Sequence, residues 1–151
     1  MSEERSFEPV SDGPRVIVVG VDGSETSLRA GAYAWGQARR NGARLILVQV
    51  TPMTTISTLT AGGAAIMRET AEELAEELRA ELRRTSEQIP GVRYEVVLEH
   101  GDAAAVLARI ADEVKADAVV VGASAKAGHR FVGSVAIRLV RAGRWPFTVV
   151  P

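Results

Sequence analysis

Arg15–Val21 reads RVIVVGV and runs directly into Asp22-Gly23-Ser24. Short, β-branched and almost wholly apolar, this run has no polar face to give to water. A strand of that kind belongs inside a parallel sheet covered on both sides. Leu45–Val50 (LILVQV), Ala118–Val121 (AVVV) and Phe147–Val150 (FTVV) have the same character. Val92–Glu99 (VRYEVVLE) differs, because Val92, Tyr94, Val96 and Leu98 alternate with Arg93, Glu95, Val97 and Glu99. One polar face suits the edge of a sheet rather than its centre.

Helical patterns fill the intervals. Ser27–Asn41 ends at Asn41-Gly42, a C-terminal stop. Thr70–Ile89 places Leu74, Leu78 and Leu82 on one face, and Pro90-Gly91 closes it. Its acids (Glu72, Glu73, Glu76, Glu77) precede its bases (Arg79, Arg83, Arg84), the order a helix dipole favours. Asp102 is expected to cap Ala103–Lys115, and Ser134–Arg141 forms a short last helix. Thr51–Met67 reads as an irregular segment. The alternation of five strands and four helices implies right-handed crossovers and a doubly wound parallel sheet with helices on both faces.

The 151 residues make one domain, 46% apolar and 25% charged. Lys and Arg number 18 against 19 Asp and Glu, a net charge of −1. That balance gives no basic footprint for nucleic acid or an anionic membrane. Cysteine is absent and there are two histidines, which excludes disulfides, thiol nucleophiles and zinc–thiolate sites. The apolar runs fall far short of the roughly 20 residues of a membrane span. Residues 1–14 are polar and without an apolar core, hence read as a flexible tail and not a signal peptide, with 15–151 as the domain. A soluble cytoplasmic protein is expected.

In this architecture ligands bind beyond the carboxyl ends of the strands, where the strand order switches. Three segments fall on that edge. Asp22-Gly23-Ser24, with Ser27 following, suits either a carboxylate accepting from a ribose or base, or an Asx turn with a helix cap. Gln49-Val50 either offers backbone groups to a purine edge or is an ordinary strand end. Gly122–Ser134 holds Gly128, Gly133, Lys126, His129 and Arg130: a phosphate cradle, or a strand-to-helix loop with Ser134 as cap. Named motifs fail. Gly128 and Gly133 have P-loop spacing, but Ser134 and Val135 replace its Lys and Ser/Thr. Gly20–Gly23 is not GxGxxG, and Ser124 lacks the second glycine of a nucleophile elbow. A triad of Ser124 with His100 or His129 has no further support. No catalytic constellation emerges.

Taken in order, these residues resemble the universal stress protein family over Pro14–Pro151. The likeness is carried by Val21-Asp22-Gly23-Ser24 with Ser27, by Gly101-Asp102, and by Ala116-Asp117-Ala118 through Gly122. Gly133-Ser134-Val135 and the closing Trp145–Pro151 complete it. The resemblance implies a sheet of order 3-2-1-4-5, a fold like that of the adenine nucleotide alpha hydrolases, and a homodimer through Phe147–Val150. It implies roles in stress tolerance and signalling, and ATP or another adenine nucleotide, with or without Mg²⁺, in the members that bind one. Carried over, Asp22 and Val50 contact the adenosine moiety, and Val121 and Gly122 line the ribose and phosphate side. Gly133, Ser134 and Val135 hold phosphates. The nucleotide-binding members carry a second glycine where this chain has Ala125, and nine residues before the Gly-Ser pair where this chain has seven (126–132). A methyl group there obstructs close approach and costs about 1 kcal/mol if φ is positive, so an AMP-sized ligand suits this loop better than a triphosphate. The expected function is an adenine-nucleotide-binding regulatory or protective module. The alternatives are a nucleotide-free adaptor of the same fold and, at most, a slow ATPase.

Overall fold

The RVIVVGV run forms β1 (Val16–Val21) at the centre of a five-stranded parallel sheet. The computed structural model describes residues 13–52, 61–124 and 132–151. In chain order the other elements are α1 (Glu25–Asn41), β2 (Arg44–Thr51), α2 (Ala61–Gln88), β3 (Arg93–His100), α3 (Ala103–Glu113), β4 (Ala118–Gly122), α4 (Ser134–Ala142) and β5 (Phe147–Val150). The sheet order is β3-β2-β1-β4-β5. Val18 pairs with Ile46 on one side and Val119 on the other. The strand with the polar face, β3, is an edge as its alternation requires.

Alternation along β1 sorts the core into two layers. Ile17, Val19 and Val21 face α1 and α2, packing with Leu45, Leu47, Trp35 and Leu82. Val18 packs on the opposite side with Ile46, Val48 and Val119 against Leu107, Ile110 and Leu139 of α3 and α4. Ala30, Ala34 and Ala38 are fully buried at four-residue intervals, so α1 presents a flat stripe that lies close on the sheet. Trp35 joins the core, its ring 5.4 Å from Tyr94 and its indole N–H donating to the Ile89 carbonyl at 3.2 Å.

Two expectations for α2 are corrected. The helix starts at Ala61 rather than Thr70, so residues 61–67 of the expected irregular segment are helical; residues 53–60 lie outside the described residues. Gly62 and Gly63 have low helix propensity, but extending a formed helix adds a hydrogen bond for each residue fixed. The space beside Gly62 is open. The earlier start leaves no acid in the first turn, and the last turn, which ends at Gln88, holds no base. Dipole effects fade beyond a turn, so the charges act through local pairs such as Glu76–Arg79 at 3.6 Å and Glu81–Arg84 at 2.5 Å.

Asp117 joins the start of β1 to β4: its Oδ2 accepts the backbone N–H groups of Arg15 at 3.0 Å and Val16 at 2.9 Å. Asp117→Ala strands both donors at the entrance of the central strand. It is expected to lower unfolding stability by about 1–3 kcal/mol, read as a fall in the urea midpoint at unchanged slope.

Candidate functional site

A parallel sheet wrapped by crossover helices brings the N-terminal ends of α1, α3 and α4 to the carboxyl ends of the strands. β1 lies between β2 and β4, the point at which the chain changes direction across the sheet. A cleft of ≈ 910 Å³ opens there, within the size range of ligand pockets. Its floor includes Gly20 and Leu107. A Cβ on Gly20 would stand 3.1 Å from the Leu107 side chain, so the glycine makes room for that floor.

Two of the three helix starts satisfy themselves. Ser24 caps α1, its hydroxyl accepting the Ser27 N–H at 3.2 Å. Asp102 caps α3 through Oδ2, which takes the Ala105 N–H at 2.9 Å. The third differs. Gly133 is the N-cap of α4 and has no side chain to cap with, and Ser134 is the first helical residue. That corrects the reading of Ser134 as cap: the chain turns helical one residue earlier than a serine cap requires. Among the described residues no side chain caps the first N–H groups of α4, and the positive end of the helix dipole lies behind them.

At the other wall, Asp22 accepts the Ser24 N–H at Oδ1 (2.9 Å), and its own N–H donates to the Ser27 hydroxyl at 3.2 Å. Gly23 takes φ +81° between them, which completes the Asx turn. Burial pushes the Asp22 carboxyl up, but the hydrogen bonds from Ser24 and Ser27 outweigh it and hold the group below its usual range. Asp22 is thus a carboxylate at neutral pH, fixed by the turn while it lines the cleft. Arg138 of α4, also in the cleft lining, reaches Asp102 at 2.7 Å. Hydrogen bonding from Arg138 holds the Asp102 carboxyl low, and the same bond raises the guanidinium.

A sequence profile of the universal stress protein family matches residues 14–151. The chain belongs to that family. Universal stress protein MJ0531 of Methanocaldococcus jannaschii is 28% identical over 137 residues, spanning 89% of this chain and 80% of that protein. A universal stress protein family structure from Burkholderia pseudomallei is 29% identical, covers 95% of this chain and 99% of that one, and superposes with a TM-score of 0.69. A universal stress protein solved in complex with cAMP is 27% identical, with coverage of 91% and 97% and a TM-score of 0.62.

All seven residues expected at the site of this family member, Asp22, Val50, Val121, Gly122, Gly133, Ser134 and Val135, line the one cleft. Gln49 lines it too, but its side chain is buried and its amide Nε2 donates to the Ala71 backbone carbonyl of α2 at 3.1 Å, fastening that helix to the sheet. Ala125, Lys126, Gly128, His129 and Arg130 lie outside the described residues. Arg138 was missed by motif reading. It stands four residues after Ser134, and that spacing already placed both on one helical face.

Gly122 has a packing reason to be glycine. A Cβ there would stand 2.5 Å from the Thr26 carbonyl carbon and 2.7 Å from the Ser27 nitrogen. Both obstacles are backbone, so neither rotates away. Gly122→Ala is expected to push the first turn of α1 off β4 and cost about 1–3 kcal/mol. Loss of amide protection at Ser27 and Leu28 in hydrogen exchange, beyond that of the sheet, checks where the strain goes.

Proposed function

We propose that the cleft binds an adenine nucleotide and that the protein is a dimeric regulatory or protective module whose surface responds to occupancy. The start of α4 is the observation that carries this reading: backbone donors that no side chain among the described residues caps, and a positive dipole end, at a ligand-sized cleft. The relative solved with cAMP supports the adenine part. In this reading Val50 and Asp22 hold the adenosine moiety, the carboxylate accepting from ribose. Val121 and Gly122 form the wall beside the sugar, and Gly133, Ser134 and Val135 hold phosphate. Gly122 contributes by letting α1 close over β4, so its role toward phosphate is indirect. Mg²⁺, where present, would arrive on the nucleotide's own phosphates, since no group of three or more acid, His or Cys side chains that could hold a metal occurs among the described residues. Among the described residues no helix is long and apolar enough to cross a membrane, and we read the protein as cytoplasmic.

The test is calorimetry or thermal shift with AMP, ATP and, as control, GTP. At 100 times Kd a ligand adds about 2.7 kcal/mol, a rise of several degrees for a domain of this size. Asp22→Ala is expected to abolish the adenine response while the circular dichroism spectrum stays native. Undiminished affinity in that variant would overturn the site assignment. No shift at millimolar AMP or ATP would favour the nucleotide-free adaptor, which Ala125 and the shorter loop recommend.

The dimer belongs to the same proposal. β5 ends the sheet, and all four of its residues are half-buried. On α4, which packs against β5, Ile137 is 41% and Val140 56% exposed. An open strand edge beside exposed apolar residues suits a second copy related by a two-fold axis. Val140→Glu is expected to turn the sedimenting species from dimer to monomer without unfolding it; a wild-type protein that sediments as a monomer would refute this part.

A further inference from the structure

We propose that Arg138 reads the charge of the ligand, exchanging Asp102 for the phosphate of a nucleotide held at the start of α4. The inference rests on the adenine-nucleotide reading and adds the residue that separates a nucleotide from its nucleoside.

Three observations carry it. First, Arg138 is the one cation among the described residues that line the cleft, where it stands with two acids, Asp22 and Asp102. Without it those charges would repel phosphate. Second, Arg138 sits one turn beyond Ser134 and on the same face, and helical side chains lean toward the N-terminus. Both residues line the cleft, and the guanidinium meets Asp102, the cap of α3. Third, its present partner is exchangeable. Both side chains are about half exposed, 54% for Arg138 and 52% for Asp102, and exposed pairs of this kind bind weakly. A phosphate carries more charge than one carboxylate and accepts from both arms of the guanidinium fork, where Asp102 takes one.

Asp102 keeps its place when the arginine leaves. Its Oδ1 takes Arg138 while its Oδ2 caps α3 through Ala105. It is a positioning residue: it holds Arg138 at the cleft in the absence of ligand and competes with phosphate for it.

The experiment is isothermal titration of the full chain with AMP and with adenosine, for wild type, Arg138→Gln, Arg138→Lys and Asp102→Asn. Wild type is expected to bind both ligands, AMP more tightly. Arg138→Gln should weaken AMP by about tenfold or more, the scale of a charge-assisted hydrogen bond, and leave adenosine within about twofold; Arg138→Lys should recover part of the loss. Asp102→Asn retains a good capping residue and should tighten AMP while leaving adenosine unchanged. Equal losses for both ligands in Arg138→Gln, or no loss, would overturn the proposal and leave the adenine reading intact. Weaker AMP binding in Asp102→Asn would also overturn it, because a merely structural ion pair predicts that result. Wild-type protein that binds neither ligand would remove the adenine reading, and this inference with it.

Discussion

The first turn of α1 lies so close to the end of β4 that the Thr26 carbonyl oxygen stands 2.6 Å from where a Cβ on Gly122 would be. Much else depends on that approach. It brings the Asx turn of Asp22 and the Ser24 cap over the junction of β1 and β4, where the strand order reverses. It also lets the alanine stripe of α1 seat on the sheet without a gap at its upper end. One missing side chain thus sets both the packing of the first helix and the wall of the cleft. The same glycine in a phosphate-binding loop would be explained by ligand approach, yet here the protein's own backbone fills the space.

The three helix starts at the cleft divide the labour between stability and binding. Ser24 and Asp102 each satisfy the helix they begin, as residues of their type do wherever the chain permits. Gly133 supplies α4 with no capping side chain. A glycine in place of a capping side chain gives up only about a few tenths of a kcal/mol, and the donors it leaves are the ones an anion would use. The Arg138–Asp102 pair crosses from that uncapped helix to a capped neighbour, so the charge of the cleft and the seating of α3 share a carboxylate.

A good part of this was legible in the chain. Period-two and period-3.6 patterns express which face of an element is buried, a property of neighbouring residues, so the existence and order of the five strands and four helices were legible, as was the edge position of β3. Caps at Asp102 and stops at Gly42 are equally local. The start of α2 was not legible. Gly62 and Gly63 argue against a helix on propensity, and what overrides them is the cooperative extension of a helix anchored further along, where Leu82 is buried and Gln49 holds Ala71. The capping of α4 by Gly133 rather than Ser134 turned on a single residue of backbone geometry.

By itself the sequence determined the elements, their order, the layers they bury and the set of residues at the carboxyl edge, because periodicity, capping and turn chemistry act over a few residues. The likeness to the universal stress proteins rested on that same local order. Only the tertiary structure decided that Asp117 would receive the chain more than a hundred residues before it, at Arg15 and Val16. It alone decided that Gly122 would serve α1, and that Arg138 would pair with Asp102. Those contacts join residues far apart in the chain, so no window along the sequence contains both partners. They exist because the parallel sheet stacks its strand ends on one edge and brings three helix starts to the same place.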